Sequence, residues 1–377
     1  MDERRFDPRL MVKRLLAPID PPLFFIQMGL LGFALVMMMS ASPERVDSQL
    51  VNSGVAILVT WVAARMPSQR LLALAVPLYL LGVALLVGVA LFGEVSKGAR
   101  RWLHVGVTRI QPSELLKIAM PLMLAWYFQQ REGMIRLREF LVAGMLLAVP
   151  LGLIAAQPDL GTAVLVAAAG FYVIFFAGLS WKLILPFALV GVAGLAAIVA
   201  YGDQWCQPGV DWYGLREYQK HRVCTLLDPT SDPLGKGFHI IQSTIAIGSG
   251  GIFGKGWLSG TQTHLAFIPE RHTDFIFAVL GEEFGLAGAI VLLCLYLALI
   301  VRGFAIAARA PTLATRLLAG AVTMIFFTYA FVNMGMVSGI LPVVGVPLPF
   351  MSYGGTALVT LSLGIGILMS IQRHRAP

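Results

Sequence analysis

Residues 183–201 read LILPFALVGVAGLAAIVAY, a run without Asp, Glu, Lys or Arg. A helix needs about 20 such residues to cross a hydrocarbon core of ~30 Å. Similar runs recur along the 377 residues, of which 58% are hydrophobic and only 13% are charged. Soluble domains carry about 25% charged residues. The sequence therefore predicts an all-α polytopic integral membrane protein. It disfavours a β-barrel, which needs short alternating strands.

The apolar runs predict ten transmembrane helices, near 22–41, 49–66, 71–92, 113–130, 140–157, 160–178, 183–201, 275–301, 315–340 and 356–371. An even number of spans places both termini on one side of the membrane. Basic residues collect in the tails and loops of that side: Arg4, Arg5, Arg9, Lys13, Arg14, Arg131, Arg136, Arg138, Arg302, Arg309, Arg316, Arg373 and Arg375. That side is therefore predicted to be cytoplasmic. No cleavable signal peptide is expected, because residues 1–20 are basic and polar.

Two segments on the predicted outer side are unusual. The loop 93–112 carries basic residues against the general bias: Lys97, Arg100, Arg101 and Arg109. They indicate either an anionic ligand or ordinary solvated charges. The segment 202–274 is too long for a plain connector, and we expect a folded extracytoplasmic cap between spans seven and eight. Both segments would belong to one transmembrane domain that comprises residues 1–377.

Two of the three cysteines, Cys206 and Cys224, fall within the predicted cap, whereas Cys294 lies inside span eight. An oxidising compartment permits a disulfide between the first two. Spacing alone does not establish the geometry, so two free thiols remain the alternative. The six histidines are scattered and have no metal-ligand spacing, so no metal site is predicted.

Polar residues stand where four of the predicted spans would begin on the outer side. They are Glu114 and Lys117 in span four, Asp159 in span six, Asp274 in span eight, and Ser352 with Tyr353 before span ten. Helix N-termini carry free N–H groups and a partial positive charge, which favour anions such as phosphate. We therefore expect these residues to form one site at the outer face.

Each of these residues also has a purely structural interpretation. Glu114 and Lys117 are i,i+3 neighbours that could simply pair with each other. Asp159 follows a proline and could only cap its helix, and the same holds for Asp274. Against the cap interpretation, Asp274 belongs to a cluster of four ionisable residues within positions 270–274. Such a cluster is costly at a membrane boundary.

Span eight contains two further carboxylates, Glu282 and Glu283. Glu282 stands eight residues beyond Asp274, about 12 Å deeper on roughly the same helix face. Carboxylates inside a membrane are candidates for function. A packing or hydrogen-bonding role is the equal alternative.

Several motifs occur in one order along the chain: Arg101-Trp102, QPSELLK at 111–117, QPDLGT at 157–162, Gln242-Ser243, IAIGSGG at 245–251, GKGW at 254–257, PERHTDFI at 269–276 and PLPFMSYGG at 347–355. With these motifs the whole chain resembles the SEDS family (shape, elongation, division and sporulation) of bacterial cell-wall proteins. Arg271 in the PERH motif favours the elongation branch of the family, because the division branch has a motif similar to PEAH at that position.

The resemblance implies a peptidoglycan glycosyltransferase that polymerises lipid II at the outer face of the inner membrane, with its active site facing the periplasm. The catalytic acidic residue of the family matches Asp274. The candidate substrate-binding residues are Arg101, Arg109, Glu114, Lys117, Asp159, Arg271 and Ser352. The implied partners are a class B penicillin-binding protein and other membrane proteins of the elongation complex, with no nucleic acid. A divalent cation, Mg²⁺ or Mn²⁺, is left open.

Two other functions remain open. A lipid II flippase would suit ten spans with intramembrane carboxylates, but it predicts a polar path across the full membrane. A non-catalytic scaffold or activator of the penicillin-binding protein would not need Asp274.

Overall fold

The computed structural model describes residues 19–96, 99–105, 108–207, 209–210, 212, 217–232, 235–265, 267–268 and 270–374. The side chains of 94–96, 99–101, 104–105, 108–110, 218 and 236 also lie outside the described part. So do some residues used in the topology prediction, namely Arg4, Arg5, Arg9, Lys13, Arg14, Lys97 and Arg375.

Helices make up most of the described chain. They are α1 (Pro21–Ala41), α2 (Val46–Arg65), α3 (Ser68–Ala73), α4 (Ala75–Phe92), α5 (Pro112–Gln129), α6 (Leu137–Ala156), α7 (Leu160–Phe176), α8 (Trp181–Trp205), α9 (Glu217–Leu227), α10 (Lys236–Gly250), α11 (Thr261–His264), α12 (Ile276–Ala308), α13 (Leu313–Val337) and α14 (Gly355–Arg373). Two 3₁₀ turns, Pro43–Arg45 and Pro229–Ser231, complete the set.

Eight helices in the described residues are long and apolar enough to cross a membrane. The other two predicted spans coincide with α5, which carries Glu114 and Lys117, and with α7, a shorter apolar helix of 17 residues. The chain is therefore a multi-pass membrane protein, and the number ten remains a prediction.

Helix α12 is longer than its predicted span. The sequence placed Arg302 in the loop after residue 301, whereas the helix continues to Ala308. The Arg302 guanidinium donates to the carboxylate of Asp20, with Nε 3.1 Å from Oδ2. Asp20 also caps α1 by accepting from the amide of Leu23 at 3.2 Å. This ion pair satisfies the arginine inside the helix and joins α12 to the start of α1.

The bundle has a buried centre and one helix that stands apart. In α13, 72% of the most apolar window is buried, whereas in α8 none of it is. The first residue of α8, Trp181, packs edge to face against Phe175 of α7. The last turn of α8 makes further contacts. There Gly202 meets the side chain of Leu227, and a disulfide joins Cys206 to Cys224 in α9. The disulfide hypothesis is thus confirmed.

The predicted loop 93–112 contains a small antiparallel sheet. Its strands are β1 (Glu94–Ser96), β2 (Ala99–Val105) and β3 (Thr108–Ile110), in the order β1-β2-β3. In the register, Leu103 lies opposite Ile110. The strands satisfy one another's backbone groups, which a plain loop at this position would leave to water.

Helix α12 is interrupted at Gly285, whose φ of 62° and ψ of −155° are not helical. A Cβ there would lie 2.4 Å from the amide nitrogen of Gly254, so only glycine fits. The backbone groups freed by the break pair with the segment 250–256: Leu286 N with Gly251 O, Ala287 N with Ile252 O, Lys255 N with Glu282 O and Gly256 N with Glu283 O. The helix and this segment thus form one hydrogen-bonded unit.

Candidate active site

A cavity of about 620 Å³ opens where the starts of α5 and α7 meet the turn 270–275 and the segment 343–357. Four of the predicted site residues line it: Glu114, Lys117, Asp159 and Asp274. Other polar and aromatic residues in its wall are Trp102, Gln111, Thr162, Arg222, His239, Glu270, Thr273, Tyr353 and Thr356. The polar helix starts, far apart in the sequence, therefore do converge.

Asp274 lies in a turn and not in a helix cap. The N-cap of α12 is Phe275, and it makes no side-chain capping hydrogen bond. The backbone on both sides of Asp274 is held from neighbouring elements. Asn333 of α13 donates from Nδ2 to the carbonyl of Asp274 at 2.8 Å, and Ser352 Oγ donates to the carbonyl of Thr273 at 2.5 Å. These bonds set the position of the Asp274 carboxylate within the wall.

Asn333 also connects this turn to the opposite side of the cavity. The same Nδ2 donates to the carbonyl of Val346 at 2.7 Å. Gly345, beside it, has a φ of 75°, and a Cβ on it would lie 3.4 Å from Asp274 Oδ2. On the other side, a Cβ on Gly161 would lie 2.7 Å from the carbonyl of Val344. The segment 344–346 is therefore packed closely between the start of α7 and Asp274.

Glu114 and Lys117 form an ion pair in the wall of the cavity. Lys117 Nζ lies 2.6 Å from Glu114 Oε1, and the lysine side chain is only 3% exposed. The other carboxylate oxygen of Glu114 accepts from Thr360 Oγ1 at 3.3 Å. The ammonium also lies 5.1 Å from the centre of the Tyr329 ring. The pairing interpretation is correct, and the pair faces the site at the same time.

Asp159 caps α7, as its structural interpretation predicts. It accepts from the amide of Thr162 at 3.3 Å and from the Thr162 hydroxyl at 2.9 Å. Gln111 Nε2 donates to Asp159 Oδ2 at 3.1 Å. Since Gln111 precedes α5, this bond joins the starts of two helices that carry polar site residues.

Two predicted binding residues do not line the cavity. Arg271 donates from Nε to the carbonyl of Ala41 at 2.6 Å and from a terminal nitrogen to the carbonyl of Thr263 at 2.7 Å. Ser352 is 4% exposed and accepts from the amide of Leu348. Both hold backbone around the turn. The side chains of two other candidates, Arg101 in β2 and Arg109 in β3, lie outside the described residues.

His272 belongs to the same turn, 270–275. Its carbonyl accepts from the amide of Tyr353 at 2.8 Å, and the two rings meet edge to face. Burial lowers the pKa of the His272 imidazole, and the guanidinium of Arg45 lowers it further. The neutral imidazole is therefore the form that the fold favours.

Sequence reasoning missed Arg222 and His239, which α9 and α10 bring to the wall of the cavity. Arg222 stands in the polar stretch YQKHRV at 218–223, which looks like an ordinary solvated surface. His239 stands between apolar residues, and its ring stacks on Phe275 with the centroids 5.4 Å apart. No local pattern marks either residue, because their place depends on how the cap packs.

Glu282 holds the segment that precedes the turn 270–275 and does not line the cavity. Its carboxylate is fully buried and accepts hydrogen bonds from Lys255 Nζ, Thr261 Oγ1, Gln262 N, Thr263 N and Thr263 Oγ1, at 2.8–3.2 Å. Glu283 accepts from the hydroxyl of Ser40. Of the two roles considered for Glu282 and Glu283, both carboxylates therefore have the hydrogen-bonding one. Among the residues that the structure describes, no group of three or more His, Cys, Asp or Glu could hold a metal ion.

A family model described as "Cell cycle protein" (FTSW_RODA_SPOVE) matches residues 21–376. Among curated proteins, the peptidoglycan glycosyltransferase MrdB of Escherichia coli K12 is 49% identical over 361 residues, covering 95% of this chain and 94% of MrdB. The stage V sporulation protein E of Bacillus subtilis is 32% identical, covering 94% and 97% of the two chains.

Solved structures agree with this likeness. The rod shape determining protein RodA of Thermus thermophilus superposes with a TM-score of 0.70 at 30% identity, covering 95% of this chain and 98% of that one. A chain from a study described as "Structural coordination of polymerization and crosslinking by a peptidoglycan synthase complex" gives a TM-score of 0.76 at 36% identity, covering 94% and 98%.

Proposed function

Since the chain belongs to the SEDS family of FtsW, RodA and SpoVE proteins, we propose that it is a peptidoglycan glycosyltransferase that polymerises lipid II during cell elongation. The observation that carries the proposal is the cavity in which Asp274 meets Glu114, Lys117 and Asp159. An enzyme of this kind needs a carboxylate, a positive charge and an open site in one place, and this cavity combines them.

In the proposed reaction, Asp274 is the general base. Its carboxylate takes the proton from the acceptor sugar hydroxyl as that oxygen attacks the anomeric carbon of the donor. A new glycosidic C–O bond forms, and the bond from the anomeric carbon to the pyrophosphate oxygen breaks. The hydrogen bonds from Asn333 and Ser352 to the backbone at Asp274 and Thr273 support this role, because a base must be held within hydrogen-bond reach of the proton that it removes.

The leaving group is undecaprenyl pyrophosphate, whose negative charge grows as the bond breaks. Positive groups around such a charge lower the energy of the transition state. Among the described residues of the cavity wall, the positive groups are Lys117 and Arg222. We assign the larger share to Arg222, because a guanidinium suits bidentate phosphate contact whereas an ammonium acts as a point charge. Arg101 and Arg109 remain further candidates from the sequence.

A divalent cation, Mg²⁺ or Mn²⁺, would neutralise part of the pyrophosphate charge if it binds with the substrate. The described residues offer it no group of three protein ligands. We therefore assign no residues to it and derive no step through it. Removal of divalent ions with EDTA followed by return of Mg²⁺ measures whether polymerisation depends on it.

We propose that the site faces the periplasm, with both termini in the cytoplasm, in the bacterial inner membrane. The basic bias of the predicted cytoplasmic loops supports this orientation. A class B penicillin-binding protein and other elongation proteins are the proposed partners. The likeness to a chain from a complex described by polymerisation and crosslinking supports the first of them.

The test is polymerisation of lipid II by the purified protein with its crosslinking partner. Asp274→Asn is expected to abolish glycan product, while folding and partner binding persist. The matched control is Asp203→Asn, an exposed carboxylate in α8 that also lies within the predicted cap segment 202–274, and it should leave the product unchanged. Equal polymerisation by Asp274→Asn would contradict its role as base.

The same preparation separates the two alternatives. A flippase would move labelled lipid II between the leaflets of vesicles without making polymer. A scaffold would support crosslinking activity of the partner equally well with Asn at position 274. The enzyme alone predicts a product that depends on Asp274.

A further inference from the structure

We propose that the end of the bundle opposite the Asp274 cavity carries a binding site for an anionic phospholipid. A pocket of about 510 Å³ lies there between the end of α2 and the short helix α3. Val62, Arg65, Arg70 and Leu74 are among its lining residues, and we call it the arginine pocket. The proposed catalytic chemistry makes no use of it.

The position of the arginine pocket follows from the direction of α2. This helix begins beside the cavity, because the guanidinium of Arg45 lies 5.2 Å from the centre of the Tyr353 ring. Its 20 residues end at Arg65, which at 1.5 Å per residue is about 30 Å away. The pocket therefore lies at the opposite membrane face, where the predicted cytoplasmic loops are basic. The cytoplasmic leaflet is the one that carries anionic lipids.

No acidic residue lies near the arginine pocket along the chain. The sequence contains neither Asp nor Glu between positions 48 and 93. Arg70 is exposed and makes no ion pair among the described residues, unlike Arg302 and Arg138 at the same end, which pair with carboxylates. Two guanidinium groups at one opening match the geometry of a phosphate diester.

A third arginine lies near the same opening. Ser370 donates to the carbonyl of Met66 at 2.5 Å, which places the last turn of α14 against the end of α2. Arg373, one turn further along α14, is exposed. A headgroup in the arginine pocket would thus meet positive charge from two sides.

The apolar surroundings favour a lipid over a free phosphate ion. Val62 is 50% exposed, Leu58 58% and Leu74 40%. These side chains continue from the pocket along α2 and toward α4, where acyl chains could lie. The guanidinium of Arg65 also lies 3.6 Å from the Trp61 ring centre, an aromatic contact of the kind found at the membrane interface.

The test uses the full-length purified protein in detergent and native mass spectrometry. Phosphatidylglycerol is titrated in parallel with phosphatidylcholine of the same acyl chains. We expect the protein to retain phosphatidylglycerol preferentially and R65Q/R70Q to weaken that binding about tenfold or more, since each basic contact is worth roughly a fivefold change. The charge-retaining variant R65K/R70K should keep most of it.

The matched control is R309Q/R316Q. It removes the same charge from exposed arginines at the same end, beyond α12 and in α13, but outside the pocket. It should retain the lipid. Equal losses in both double variants, or equal retention of the two lipids by the unaltered protein, would overturn the proposal. So would displacement of phosphatidylglycerol by glycerol 3-phosphate alone, which would indicate a phosphate site without a lipid. If R65Q/R70Q does not fold, the single variant R70Q decides, because Arg70 is exposed and has no ion pair with any described residue.

Discussion

A substitution at Asn333 can shift the proposed base, Asp274, while the Asp274 side chain itself stays unchanged. In Asn333→Leu the side chain keeps its approximate size but loses both hydrogen bonds, to the carbonyls of Asp274 and Val346. A buried carbonyl without a donor costs about 1–3 kcal/mol, so two of them cost about 2–6 kcal/mol. The Asn333 Oδ1 is itself buried without a partner in the described structure, and its removal returns part of that cost. We expect a net loss of roughly 1–3 kcal/mol in unfolding free energy.

The effect on activity should exceed the effect on stability. Freed from Asn333, the turn 270–275 can shift relative to the segment 344–346, and a misplacement of about 1 Å can cost about a hundredfold in rate. Lipid II polymerisation, measured well below the unfolding temperature, is therefore expected to fall about 10–100-fold. Thermal unfolding of the same preparation gives the stability term separately.

Gln27 provides the matched control for this prediction. It is a fully buried amide that donates from Nε2 to Thr60 Oγ1 at 2.9 Å, and its own oxygen has no partner in the described structure. Gln27→Leu removes one such hydrogen bond and should cost about 1 kcal/mol, but it should leave polymerisation unchanged because Gln27 packs between α1 and α2, away from the cavity. Polymerisation at the unaltered rate by Asn333→Leu, or an equal loss in Gln27→Leu, would refute the reasoning.

Three further outcomes are expected. Lys117→Met leaves the mostly buried Glu114 carboxylate without its cation and should lower the unfolding free energy by about 3–5 kcal/mol. Adding a neutral Gln at position 114 should restore most of it, and thermal unfolding of both variants checks this. Cys206→Ser opens the disulfide of the cap and should cost about 3 kcal/mol, so a variant that melts like the oxidised parent would contradict the prediction. The lowered pKa of His272, caused by burial and by Arg45, means that the unfolded chain binds the proton more readily. Stability is then complete above pH 6.5, the ordinary value, and falls as the pH drops below it. Unfolding midpoints at about pH 7.5 and about pH 5.5 should therefore differ more for the parent than for His272→Gln.

Local patterns explain which parts of the fold were predictable. A span is a run of apolar residues, and a cap or an i,i+3 pair involves neighbours along the chain, as Asp159 with Thr162 and Glu114 with Lys117 show. The family resemblance marked Asp274, and the shared position at helix starts brought the polar residues together.

Contacts between distant parts of the chain were not predictable in this way. Arg271 looked like a phosphate ligand until its guanidinium was seen on the carbonyl of Ala41, 230 residues away. Asn333 sits in an apolar span with no motif around it, and its partner Asp274 is 59 residues distant. Arg222 reaches the cavity only because the cap folds over it. These contacts depend on how distant elements pack, and no periodic pattern in the sequence indicates that packing.

The break at Gly285 has a consequence for biogenesis. A helix that enters the bilayer alone satisfies its own backbone, but this one leaves amides and carbonyls open until the segment 250–256 docks against it. Its two carboxylates, Glu282 and Glu283, likewise acquire partners only from outside the helix. Lateral release of this span from the insertion machinery should therefore be unfavourable by itself. It becomes favourable when the preceding segment moves in with it, so that the two are delivered to the lipid as one unit.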